Sequence, residues 1–101
     1  MFKASGWRRM ERNTQRALFN LTLLPSGLML RDCSLHERDG KRWIGLPARP
    51  QLGRDGRQLV IPKTGRPAYA TIVDFADRAA RDRFQVAALL ALDELISRGR
   101  P

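Results

Sequence analysis

Acidic residues are scarce in this chain: 10 Asp and Glu stand against 19 Lys and Arg in 101 residues, a net charge of +9. Cysteine is nearly absent, with Cys33 alone. One thiol excludes an intramolecular disulfide and makes the cytoplasm the expected compartment. Within an apolar-alternating run, Cys33 reads as a buried structural thiol rather than a nucleophile. His36 is the only histidine and has no cysteine or carboxylate at ligand spacing. A zinc site takes about four such ligands, so no metal and no cofactor are expected. No apolar run approaches the roughly 18 residues needed to cross a membrane. Residues 1–15 also lack the apolar core of a signal peptide, so neither export nor a membrane partner is expected.

Catalytic groupings are missing as well. Ser26, Ser34 and Ser97 have no base at a telling spacing. Asp32, Glu37, Asp39, Asp74, Asp77 and Asp82 are scattered, and Asp74 with Asp77 suits a cap or an ion pair better than acid–base work. Gly53-Arg54-Asp55-Gly56 and Lys63-Thr64-Gly65 are too short for a P-loop. The expectation is a non-enzymatic protein with no small-molecule substrate.

What the chain does have is positive charge gathered in two places. Residues 1–16 hold Lys3, Arg8, Arg9, Arg12 and Arg16 against Glu11, a net +4. Residues 47–68 hold Arg49, Arg54, Arg57, Lys63 and Arg66 against Asp55, again +4. The rest contributes +1. Such a distribution suits a polyanion, nucleic acid first, because neutralised phosphates release counterions. The plainer reading is a solvated basic surface.

One domain fits this length, and a chain this short gains from oligomerising. Residues 1–15 are polar and basic with no sustained period, and read as a flexible arm. Ala17, Phe19, Leu21 and Leu23 then alternate, predicting a strand from residue 16 to the Pro25-Ser26-Gly27 turn. A second strand over 28–37 puts Met29, Cys33 and Leu35 on one face, with Leu28, Leu30, Asp32, Ser34 and His36 on the other. Asp39-Gly40 is a hairpin signal, and 41–46 returns as strand three. Residues 47–68 carry Pro47, Pro50, Pro62 and Pro67 with Gly53, Gly56 and Gly65, predicting a long loop. Asp55-Gly56 suits a second tight turn there. Leu59-Val60-Ile61 reads as a β finger or as an anchor folded onto the body. Tyr69 to Phe75 reads as strand four. Asp77 is a candidate N-cap for a helix to about residue 98, with Phe84, Ala87, Ala88, Ala91, Leu92 and Leu95 on one face. Val86, Leu89, Leu90 and Ile96 widen that face, which suits two neighbours, the sheet and a partner subunit. Asp77, Arg78, Arg81, Asp82 and Arg83 suit intrahelical pairs, and 99–101 is a tail. The expected fold is α+β: a four-stranded antiparallel β-meander followed by one long C-terminal α-helix (β-β-β-β-α), spanning residues 16–98.

On this pattern Trp43 opposes Ile44 and Leu46. It either packs in the core or a dimer interface, or lies among cations on an open face, where aromatics stack bases in single-strand binders. Tyr69 would extend that platform on strand four. Arg31, Arg38, Lys41, Arg42, Arg49, Arg54, Arg57, Lys63 and Arg66 would hold phosphates, arginine forks being suited to them. No helix-turn-helix or zinc-finger pattern suggests sequence-specific readout. The expected function is binding of single-stranded DNA or RNA with little sequence preference. The rival is an adaptor docking an acidic protein.

Arg16-Ala17, Asp32, Gly40, Gly45-Leu46-Pro47 with Arg49, and Asp55-Gly56 resemble the motif order of the SpoVG-type septation regulators. The likeness covers about residues 16–57 and, more loosely, the C-terminal helix. The chain departs at Leu59–Arg66, at Ile72-Val73-Asp74-Phe75 and in its basic N-terminus. In order of elements it is also similar to single-strand-binding coactivators of the positive cofactor 4 type and to the Whirly proteins. The resemblance implies a small, dimeric, cytoplasmic nucleic-acid-binding regulator, with Arg49 as the one motif residue carried over. The expected work is transcription regulation, or replication and recombination, and the adaptor alternative extends to an accessory subunit of a mobile-element complex.

Overall fold

The computed structural model describes residues 1–100, so the end of the expected tail, Pro101, lies outside the described residues. Seven elements follow one another: β1 Phe2–Arg12, β2 Gln15–Leu23, β3 Leu28–Arg38, β4 Lys41–Gly45, β5 Ala48–Pro50, β6 Tyr69–Thr71 and α1 Arg78–Ser97. The fold is α+β, with an antiparallel four-stranded sheet in the order β1-β2-β3-β4 and one C-terminal helix. No helix among the described residues is long and apolar enough to cross a membrane.

The four strands are not the four expected ones. The supposed arm is β1, paired antiparallel with β2 from Phe2 opposite Leu23 to Arg12 opposite Gln15. Its period was hidden by a parity change. Phe2, Ala4 and Trp7 all pack against the core, yet the first two are even-numbered and the third is odd. The ladder shifts register between Ser5 and Arg8, and Gly6 there has φ +64. A β-bulge of this kind turns the following side chains to the opposite face. A side chain at Gly6 would also strike Asn20, its Cβ lying 2.7 Å from the amide nitrogen.

Strand β3 repeats the device. Phe19 pairs with Cys33 but Leu21 pairs with Leu30, one residue more on β3. Asp32 adopts φ +59, and its N–H donates to Asn20 Oδ1 at 3.2 Å. Leu30 therefore joins Cys33 and Leu35 in the core, and Met29 is left exposed. That reverses the faces the sequence predicted for Met29 and Leu30.

The expected fourth strand, 69–75, is only Tyr69–Thr71, and it pairs with β5 in a separate two-stranded sheet. The chain leaves the main sheet after Gly45, and Pro47 has no N–H with which to extend a ladder. Beyond the bulges, the hairpin expectations hold: Asp39 and Gly40 take φ +52 and +78, between paired Arg38 and Lys41.

Helix α1 starts at the expected N-cap, with Asp77 accepting from the Ala80 N–H at 2.8 Å. Gly99, φ +92, follows its end. Ala88, Ala91, Leu92 and Leu95 bury against Phe19, Leu21, Leu30, Cys33, Leu35 and Ile44. Burial and the nearby Asp32 charge push the Cys33 thiol up to about 11, keeping it protonated. The helix also secures the β4 edge. Gln85 accepts from the Ile44 N–H and donates to the Ile44 carbonyl, both at 2.8 Å, which satisfies two backbone groups that an edge strand would leave open. The expected pairing of its first-turn charges does not form among the described residues. The intrahelical ion pair is Glu94 with Arg98.

Candidate functional site

The helix covers one face of the sheet and leaves the other open. Register fixes what the open face presents, setting Ser34 opposite Gly45 and His36 opposite Trp43. Trp43 is 37% exposed while its neighbour Ile44 is 3% exposed, so Trp43 lies on the open face and not in the core. Its ring stacks on His36 with centroids 5.4 Å apart and planes 7° apart.

His36 is held at both ring nitrogens, by Thr14 Oγ1 at Nδ1 (2.9 Å) and by Ser34 Oγ at Nε2 (2.8 Å). Burial lowers its pKa below the usual histidine value. A neutral ring donates at one nitrogen and accepts at the other. Room for this row comes from Gly45, where a Cβ would stand 2.5 Å from Ser34 Oγ and 3.2 Å from His36 Nε2. Sequence reading put Ser34 and His36 on one face but assigned Thr14 to an arm, so the row was incomplete. Ser34 and His36 have the proximity of a nucleophile and base, but the ring's other partner is the Thr14 hydroxyl where a hydrolytic triad has a carboxylate.

Residues 48–71 form a lobe beside this face. Three backbone bonds knit it: Gln51 N–H to the Ala68 carbonyl (3.0 Å), Leu59 N–H to Gln51 (2.7 Å) and Ala68 N–H to Leu59 (2.8 Å). Two turns project from that knot. Gly53 donates to the Arg57 carbonyl at 2.9 Å around Asp55-Gly56, and Ile61 to the Arg66 carbonyl at 2.8 Å around Lys63–Gly65. The long loop is thus an ordered β lobe. Leu59, Val60 and Ile61 stay 42%, 54% and 43% exposed, so they belong to the lobe and do not anchor it on the body.

Between lobe and open face runs a groove of about 540 Å³, lined by Arg12, Thr14, Ser34, His36, Arg66 and Tyr69 among others. Tyr69 does not extend the Trp43 platform as expected. It sits on β6, in the other sheet, and reaches the groove from the lobe side. Arg12 comes from the supposed arm, whose charge was expected to hold phosphates with no one residue singled out.

The other candidate cations separate by face. Arg42 points to the helix, where its two guanidinium nitrogens bond Asp93 Oδ1 and Oδ2 at 2.7 and 3.1 Å. That hydrogen bonding raises the Arg42 pKa and lowers the Asp93 pKa. Arg42, expected to hold phosphate, is therefore engaged by Asp93 on the face opposite Trp43. Arg38 lies 3.8 Å from Asp39 at the hairpin turn, and exposed Lys41 opposes it across the ladder. Arg31 borders a separate hollow with Gly6, Trp7, Arg8, Asn20 and Asp32, where Arg8 forms an ion pair with Asp32. Arg49, Arg54, Arg57, Lys63 and Arg66, all on the lobe, make no ion pair among the described residues.

No family model, curated protein or solved structure matches this chain.

Proposed function

We propose that the protein is a non-enzymatic nucleic-acid-binding protein that prefers single strands and reads little sequence. The observation that carries this reading is the lobe: five cations with no ion-pair partner among the described residues, set beside an open sheet face that bears Trp43. Unpaired arginines attract phosphate at no cost of breaking internal ion pairs. An exposed aromatic offers a base a stacking surface worth about 1–3 kcal/mol. Lobe and groove would track the backbone, and Trp43 would take a base.

A second copy of the chain is the partner we propose for the helix's outer face, where Val86 and Leu90 are 62% and 65% exposed one turn apart. Light scattering of the wild type and of Val86→Glu/Leu90→Glu tests this, with dimer and monomer as the expected masses.

Fluorescence anisotropy with labelled single-stranded DNA, duplex DNA and RNA of matched length, at several salt concentrations, tests the main reading. Sub-micromolar single-strand binding, tighter than duplex and weakened about tenfold by Trp43→Ala, is expected. Absence of binding to every oligonucleotide near physiological salt would overturn it in favour of an adaptor that docks an acidic protein.

A further inference from the structure

We propose that the groove between the open sheet face and the lobe is a phosphate site, gripping one phosphate group of a bound nucleotide between Arg12 and Arg66. The inference rests on the nucleic-acid reading and narrows it to one group in one place. The two guanidinium groups come from different elements, the end of β1 and the second turn of the lobe. A site built from both is complete only when the lobe stands against the sheet. Planar guanidinium forks match phosphate oxygens two at a time. The volume, about 540 Å³, falls within the roughly 300–1,000 Å³ of small-ligand sites, which suits a nucleotide unit. Asp32 also lines the groove. It is the one carboxylate there, and its ion pair with Arg8 offsets its repulsion of an anion.

The Thr14–His36–Ser34 row makes the site self-reporting. Protonation of His36 turns both ring nitrogens into donors, and both hydroxyls accept, so the ring gains charge without losing a hydrogen bond. The charged groups sharing its groove are Arg12 from β1, Asp32 from its own strand and Arg66 from the lobe. Trp43 stacks on it from β4, the strand that also carries Lys41. Glu37, beside it on β3, opposes Arg42 across the ladder. With the groove empty, burial disfavours the imidazolium. A phosphate held in the same groove brings negative charge beside the ring and favours it.

His36 is the only histidine, so NMR titration of its ring in the full chain reads the site without assignment ambiguity. The additions are inorganic phosphate, a nucleoside 5′-monophosphate, and single-stranded oligonucleotides with either a 5′-phosphate or a 5′-hydroxyl. The expected result is a rise of about one pKa unit, equivalent to tenfold tighter binding by the protonated form. Arg12→Ala/Arg66→Ala should abolish that rise, and Arg83→Ala on the helix should leave it intact. A rise with the 5′-phosphorylated strand alone assigns the site to a terminal phosphate, and an equal rise with both strands assigns it to the backbone. If oligonucleotides bind by anisotropy and the His36 pKa does not move, the groove is not the phosphate site, although the nucleic-acid reading survives. A rise with the monophosphate and no oligonucleotide binding supports the site and overturns the nucleic-acid reading.

Discussion

The sheet–helix body and the lobe are built on opposite terms. The body buries Phe19, Leu21, Cys33 and Leu92 completely and buries no polar or charged residue. Five of its 14 cations are answered, Arg8 by Asp32, Arg9 by Glu11, Arg38 by Asp39, Arg42 by Asp93 and Arg98 by Glu94. In the lobe, and along the whole stretch between Ile44 and Ala88, no residue is buried. Backbone hydrogen bonds hold the lobe, its cations are unanswered among the described residues, and its Leu52 and Val60 face outward at 59% and 54% exposure. A segment with so little apolar burial opens locally at low free-energy cost. The contrast teaches that apolar burial is confined to one region, while the other is all surface and none of its five cations is ion-paired among the described residues.

The sharpest way to break this comparison is to truncate an apolar side chain in each region. Phe19→Ala should destabilise the protein by about 3–5 kcal/mol, since it empties a fully buried site. That is a large part of the roughly 5–15 kcal/mol that a domain commands. Val60→Ala, half-exposed on the lobe, should stay within about 0.5 kcal/mol. Urea unfolding of both variants checks the pair, and comparable losses would mean that the lobe is part of the core.

Excising residues 51–67 and joining Pro50 to Ala68 through a two-residue Gly-containing turn tests the other half of the contrast. Pro50 and Tyr69 are already paired across β5 and β6, so a short turn can close the gap. The melting temperature should move by only a few degrees, equivalent to about 1 kcal/mol or less. Single-strand affinity should fall more than tenfold, and the slope of log affinity against log salt should lessen by as much as about 3, at roughly 0.7 per lost phosphate contact. An unchanged slope would leave the lobe's charge without a role in binding.

Much of this architecture was legible in the chain, and the parts that were not share a cause. The β2 core face, the Asp39-Gly40 hairpin, the Asp77 cap and the buried helix face follow from local periods and turn chemistry. Bulges defeat that logic. At Gly6 and Asp32 one extra residue changes parity, so β1 looked unpatterned and Leu30 exchanged places with Met29. Asn20 lies between the two bulges, with its amide against Gly6 and its carbonyl oxygen on the Asp32 N–H. Such coupling across three strands has no local signature. The groove was hidden for a related reason, because Arg12 and Arg66 are far apart in sequence and meet only once β1 has paired and the lobe has folded.

The smallest expected effect bears on the one cation pair that the contrast makes most informative. Asp93 clamps Arg42 on the helix side of β4. Both side chains are substantially exposed, 35% and 50%, so water screens the pair and its loss in Asp93→Asn should cost only about 0.5 kcal/mol. The same change adds one unanswered cation to the body. If Asp93 alone keeps Arg42 out of binding, affinity should rise and the salt slope should steepen by about 0.7. We expect no steepening, because alternation along β4 points Arg42 away from Trp43 and the groove. Salt titrations of the wild type and Asp93→Asn decide this. An unchanged slope confines the interface to the open face and the lobe, whereas a steeper one means the strand wraps the β4 edge to the helix side.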